Sequence, residues 1–436
     1  MIRATVVLIL LALALPARTV AQDGGRPRAS ELSVAGIPVV YKPIDANEVV
    51  AVRLYIKGGS ANLTPEKAGI ENFLTTAATR GTEKYSRDQF AALAAATGTE
   101  ITAEANPDYT VVSLQAVADH WDEAWDLFSQ AVLHPTFPPD EVELVRAQIV
   151  NDLKGRLDNP DSYLALLANE MLYEGHPYAI DPLGDVETIE AITIADLEAW
   201  HEQRLTKENL VFIVVGNVPR EDVQAKIEAA FADLAASGGT ARMAPALEPS
   251  APEVEVTERE LPTNYIRGQF VTPDPGHPDY AAMRVAIDIL SDRLFEEVRT
   301  KRNLSYAVYS GLSQRRANYG LIYVTAVDPG ATLPVMFAEI ERLKTEPISG
   351  ERLAESVNVF LTQHWLGQET NMAQAATLGT FEMTGGGWER TDEFVERVRA
   401  VTPGDIQRVA RQYLNDVHFV VLGDPAQIDQ ALFMSL

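Results

Sequence analysis

No cysteine occurs among the 436 residues, which excludes a disulfide framework, a thiol nucleophile and a thiol-anchored lipid. Long apolar runs are equally scarce, and the one that stands out opens the chain. Arg3 precedes the run Ala4 to Leu15, Pro16 breaks it, and Thr19-Val20-Ala21 offers a small-residue cleavage site. This pattern predicts an export signal over residues 1–21. No later stretch is long and apolar enough to span a bilayer. The expectation is an exported protein with no membrane attachment after signal removal, periplasmic if the source is Gram-negative. Positive charge is scarce too: 36 Lys and Arg stand against 62 Asp and Glu, a formal net charge of -26. A phosphate backbone selects basic surface, so nucleic acid is excluded as a partner, whereas cationic or extended peptides are compatible.

The usual catalytic signatures are missing as well. There is no Gly-x-Ser-x-Gly elbow and no phosphate-cradling Gly-x-x-x-x-Gly-Lys, and Gly385-Gly386-Gly387 lacks the strand–turn–helix setting of a nucleotide loop. The seven histidines, at 120, 134, 176, 201, 277, 364 and 418, include no pair at helical spacing. His120-Trp121-Asp122-Glu123-Ala124 and the stretch from His201-Glu202 to Leu205 each lack the second imidazole. Structural or surface roles are expected for all seven.

What the chain does contain is an arrangement used twice. Apolar strand-like runs at Ile37 to Tyr41 and Val49 to Ile56 precede a helix that Thr64-Pro65 is expected to start. Another strand is expected at Val111 to Ala116, with helices at Trp121 to Leu133, Pro139 to Leu157, Ser162 to Leu172 and Ile194 to Arg204. Leu210 to Val215 reads as a buried strand ending at Gly216. An Ala-, Gly-, Pro- and Ser-rich linker over 236–255 then divides a first domain (30–235) from a second (256–436). In the second, a strand at Tyr265 to Val271, a helix at Tyr280 to Arg299 and strands at Tyr306 to Ser313 and Gly320 to Ala326 follow. Ala191, Thr193, Asp196 and Leu205 match Ala400, Thr402, Asp405 and Leu414 at one constant offset, each set leading into a β-run that stops at Gly. A shared helix–strand–Gly ending on both sides of a linker favours duplication.

Within the first half, Gly69-Ile70-Glu71-Asn72-Phe73-Leu74-Thr75-Thr76, closing on Arg80-Gly81-Thr82, resembles the zinc helix of the insulinase/pitrilysin family. In that family the stretch reads Gly-x-x-His-Phe-Leu-Glu-His. Gly69, Phe73, Leu74, Gly81 and Thr82 keep the register, while the His, Glu and His positions hold Asn72, Thr75 and Thr76. Zinc chemistry requires imidazoles one turn apart and a carboxylate to take a proton from bound water. An amide and two hydroxyls do not supply it. The family's third ligand, a Glu on a later helix, corresponds to Asp152 in Asn151-Asp152-Leu153, ahead of Asn159-Pro160-Asp161. The resemblance implies an α+β fold of two similar tandem domains, each a mostly antiparallel sheet with helices on one face, and no metal bound by this chain.

The second half carries Arg299-Thr300-Lys301-Arg302-Asn303-Leu304-Ser305-Tyr306, similar to the family's Leu-Arg-x-x-x-x-Leu-x-Tyr signature. There the Arg and Tyr hold the peptide near its scissile bond and help stabilise the tetrahedral intermediate. The resemblance implies a non-catalytic subunit that supplies Arg299 and Tyr306 for extended peptide substrates. A partner of similar size, bearing His-x-x-Glu-His, would bring the zinc. The alternative is a catalytically dead binding or scaffold protein of the same fold, although a scaffold has no need of both Arg299 and Tyr306.

Overall fold

The computed structural model describes residues 28–434; the expected signal at 1–21 lies outside the described residues. Six strands form the first sheet: β1 (Ser30–Val34), β2 (Ile37–Pro43), β3 (Val49–Lys57), β4 (Glu100–Ala105), β5 (Tyr109–Val117) and β6 (Leu210–Gly216). Their spatial order is β1-β2-β6-β3-β5-β4. Five strands form the second: β7 (Val254–Glu258), β8 (Asn264–Val271), β9 (Val308–Leu312), β10 (Tyr319–Ala326) and β11 (His418–Gly423), in the order β7-β11-β8-β10-β9. Among the described strands only β2–β6 and β7–β11 pair in parallel. The second sheet therefore repeats the first without its opening strand β1.

The matched residues that announced the repeat have a physical basis. Thr193 and Thr402 accept a hydrogen bond from the backbone N–H of Asp196 and Asp405, whose carboxylates accept back from the threonine N–H. These are reciprocal capping boxes, and they start the helices Ile194–Arg204 and Pro403–Tyr413. Leu205 and Leu414 close those helices in buried positions, ahead of β6 and β11. The α+β class with two similar halves holds.

Every residue of β6 and β11 is buried, and strand alternation shows why. Leu210, Phe212 and Val214 face helices of the first half, while Val211, Ile213 and Val215 face Ala375, Leu378 and Met383. Those last three belong to the helix Asn371–Thr384 from the second half. Reciprocally, Val420 and Leu422 of β11 meet Leu164 and Ala168 on the helix Pro160–Leu172, which comes from the first half. Each sheet thus has its own helices on one face and a single borrowed helix on the other. Burying each such Leu, Val or Met contributes about 1.5–3 kcal/mol, so the exchange binds the halves together.

Polar groups fix the register of the exchange. Asn371 donates to the Val49 carbonyl at 2.6 Å and to Asn47 at 3.0 Å. Gly379 lies flat on β3, where an added Cβ would come within 2.2 Å of the Tyr55 ring. Gly385-Gly386-Gly387 closes this borrowed helix; Gly386 and Gly387 have φ of 79° and 128°, a conformation suited to glycine.

One expectation needs correction. Thr64-Pro65 does not start the helix bearing Asn72: Thr64 makes no side-chain cap, and only a short turn, Pro65–Lys67, follows it. The helix begins at Ile70, after Gly69 with φ of 84°. A side chain at Gly69 would strike Ile189 and the Leu183 carbonyl, so a left-handed, close-packed glycine sets the start.

Candidate functional site

The helix Ile70–Ala77 buries Phe73, Leu74 and Ala77 against Val145, Ile149 and Leu153 of the helix Pro139–Asp158. That packing keeps the family frame. Asn159 then caps the next helix by accepting from the Ser162 N–H at 3.0 Å, with Pro160 at its first position. The Asn-Pro-Asp motif is a helix–helix corner.

The residues at the zinc positions do not fit a metal. Thr75 is buried, and its hydroxyl donates to the Glu71 carbonyl at 2.9 Å. Thr76 donates to the Asn72 carbonyl at 2.8 Å. Both hydroxyls are spent on their own helix, a common fate of mid-helix threonine. Asp152 is exposed to solvent on the neighbouring helix. Among the described residues no group of three or more His, Asp or Glu is placed to hold an ion. Histidines elsewhere serve local structure: His201 donates to the Val132 carbonyl at 2.7 Å, His364 meets Gln368 at 2.7 Å, and His418 meets Ser250 at 3.0 Å.

Glu71, which the sequence did not single out, is the unusual group here. An acid in a helix's first turn reads as a dipole partner, and nothing local says that it is buried. It is only 4% exposed. Thr110 donates to its carboxylate at 2.6 Å. Burial pushes its pKa up from the ordinary value, with Thr110 and Arg204 opposing. Between the unfolded and folded pKa values the folded state keeps a proton that the unfolded chain has released, so stability from this group falls as pH rises above about 4.5. Replacing Glu71 with Gln removes that penalty. The melting temperature of Glu71→Gln relative to the parent should climb between pH 4.5 and pH 7.5; a difference independent of pH would contradict the assignment.

The Arg–Tyr signature is assembled in the second half. The helix Tyr280–Leu294 continues into a wider turn, Phe295–Thr300, in which the Lys301 N–H reaches back to the Glu296 carbonyl at 2.9 Å. One extra residue per turn re-aims side chains, and such turns gather at functional sites. Asn303, with φ of 53°, then reverses the chain in a conformation that asparagine tolerates. Ser305 ties the return by accepting from the Ala307 N–H at 3.1 Å. Tyr306 thus precedes β9 instead of lying in it, and it is 80% exposed.

The Arg299 guanidinium lies 4.1 Å from the Tyr306 ring centroid and 4.8 Å from that of Phe295. Its neighbours are engaged elsewhere. Lys301 and Arg302 both pair with Glu297, holding that carboxyl at about 2, first through Lys301 and then Arg302. Among the described residues no carboxylate pairs with Arg299. The fold therefore brings Arg299 and Tyr306 together and places Asn72, Thr75 and Thr76 on one helix. The two groups sit on different halves, and no hydrogen bond, ion pair or ring contact joins them among the described residues.

Two family models match the chain. One, described as insulinase (peptidase family M16), covers residues 39–183, and one described as peptidase M16 inactive domain covers residues 191–360. An uncharacterised zinc protease of Mycobacterium tuberculosis is 26% identical over 412 residues, spanning 89% of this chain and 91% of its own. Among solved structures, a peptidase M16 inactive domain from Pseudomonas fluorescens superposes with a TM-score of 0.84 at 22% identity, covering 91% of this chain and 98% of its own. The periplasmic protease PqqL from Escherichia coli superposes at 0.74 and 16% identity, covering 95% of this chain and 49% of its own.

Proposed function

The chain belongs to the insulinase (M16) peptidase family as an inactive-type member, and on that premise we propose that it is the metal-free subunit of a two-chain peptidase. Its contribution is Arg299 and Tyr306, offered to an extended peptide. A partner of similar size that carries His-x-x-Glu-His supplies the zinc. The observation that carries this reading is the exposed stack: Tyr306 is 80% exposed yet held against an Arg299 that has no carboxylate partner among the described residues. Leaving a tyrosine ring in solvent and a cation unpaired gains the fold little. A guanidinium and a phenol are preorganised donors suited to a peptide carbonyl that gains negative charge. Export through the leader at 1–21 would place this work in the periplasm of a Gram-negative source.

The test compares peptide hydrolysis by this chain, by the partner and by their mixture, each with and without chelator, alongside metal analysis of the purified chain. The expected result is sub-stoichiometric zinc on this chain, no chelator-sensitive cleavage by it alone, and cleavage by the mixture above that of the partner. Chelator-sensitive cleavage by this chain alone would overturn the reading.

A further inference from the structure

A cavity of about 330 Å³ lies between the helix Ile70–Ala77 and the first sheet. Its apolar surface comes from Ile56, Leu74, Val112 and Val132. Its lining also includes Thr75 and Thr76 at the zinc-motif positions, the buried Glu71 and Arg204, half-buried Arg80, and the exposed Thr102 and Ala103 of edge strand β4. Arg204 is 7% exposed. Its Nη2 donates to the Lys57 carbonyl, beside a Gly58 that leaves no room for a Cβ. Among the described residues its buried Nε has no hydrogen-bond partner, and neither has that of Arg80. A buried guanidinium N–H without an acceptor is costly. Two cations thus line a cavity that holds one carboxylate among the described residues, Glu71, which Thr110 hydrogen-bonds and Arg204 faces, so that one positive charge is left in excess. In a chain of net charge -26, this is a local excess of positive charge inside an apolar-walled pocket.

We propose that this cavity binds a small apolar monocarboxylate, its head accepting from Arg204 and Arg80 and its body against Ile56, Leu74, Val112 and Val132. The site is separate from the Arg299–Tyr306 pair and does not depend on the peptidase reading. Its size sets the ligand: at about 30 Å³ per water-sized group, it holds roughly ten non-hydrogen atoms, the scale of octanoate or phenylalanine. The two sources share the carboxylate and differ in the ammonium, which only the amino acid would present to Glu71.

Calorimetric titration of the full chain tests this with octanoate and phenylalanine, and with octanol and phenylalaninol as head-group controls. At least one carboxylate should bind saturably and its alcohol should not. Arg80→Met, a change at the rim that spares the core, should weaken binding about 10- to 100-fold, the worth of one charge-assisted hydrogen bond. Ala103→Trp, on the exposed edge, should close the mouth and abolish it. If phenylalanine is the ligand, Glu71→Gln should weaken it by a similar factor; if octanoate is, that variant should bind unchanged or more tightly. Absence of binding by both carboxylates, equal binding of the alcohols, or binding that survives Ala103→Trp would overturn the proposal.

Discussion

Arg299→Ala is expected to lower the rate of peptide cleavage by the two-subunit complex about 10²- to 10³-fold, the typical cost of losing one preorganised donor to a developing oxyanion. The melting temperature of the isolated chain should hardly change, because Arg299 makes no ion pair among the described residues and its guanidinium lies over the partly exposed rings of Phe295 and Tyr306. Tyr306→Phe separates the two things the tyrosine offers. It keeps the ring over the guanidinium and removes only the hydroxyl. A drop in turnover near that of Arg299→Ala identifies the phenol as a donor in its own right. Arg299→Lys retains the charge but loses the planar fork, so it should recover only part of the rate. Normal turnover in both Arg299→Ala and Tyr306→Phe would remove the assigned role, and the chain would then be a scaffold of the same fold.

The second large effect concerns how the halves hold together. Gly379→Ala should destabilise the chain by about 1–3 kcal/mol, the range for overpacking a well-filled core. For units near 200 residues each kilocalorie shifts the melting temperature by about 2–4 °C. The cause is local: the new Cβ would sit 2.2 Å from the ring carbon and hydroxyl of Tyr55. Tyr55 has no room to yield, being fully buried on β3 and packed edge-on to Tyr109 at 4.9 Å between ring centroids. A double-mutant cycle checks the mechanism. In a Tyr55→Leu background the cost of Gly379→Ala should largely vanish, since the colliding atoms are gone. An equal cost in both backgrounds would show that the loss comes from elsewhere in the borrowed helix.

Local chemistry explains why parts of this architecture were legible beforehand. Capping boxes, apolar runs and Gly stops act within a few residues, so Thr193 with Asp196 and Thr402 with Asp405 announced equivalent helix starts in both halves. Thr64-Pro65 misled because a good cap is only a local preference, and the close packing at Gly69 decided where the helix begins. The wide turn after Leu294 was also invisible, because nothing in Phe295 to Thr300 distinguishes it from a continuing helix. The continuous apolar run of β6 did carry a hint: a strand apolar on both faces must be covered on both, and helices on one face alone leave Val211, Ile213 and Val215 exposed.

The residues alone determined the repeated helix–strand–Gly ending and the presence of an amide and two hydroxyls at positions 72, 75 and 76, since each follows from side-chain type and short-range spacing. The α+β class, and the reading of those three positions as a lost zinc motif, came through the family resemblance. Tertiary structure alone decided that Asn371–Thr384 covers the first sheet and Pro160–Leu172 the second. It alone buried Glu71 beside Arg204 and left Tyr306 in solvent against Arg299. Those outcomes depend on which surfaces meet across hundreds of residues, and an apolar helix face carries no record in its own sequence of the sheet it will cover.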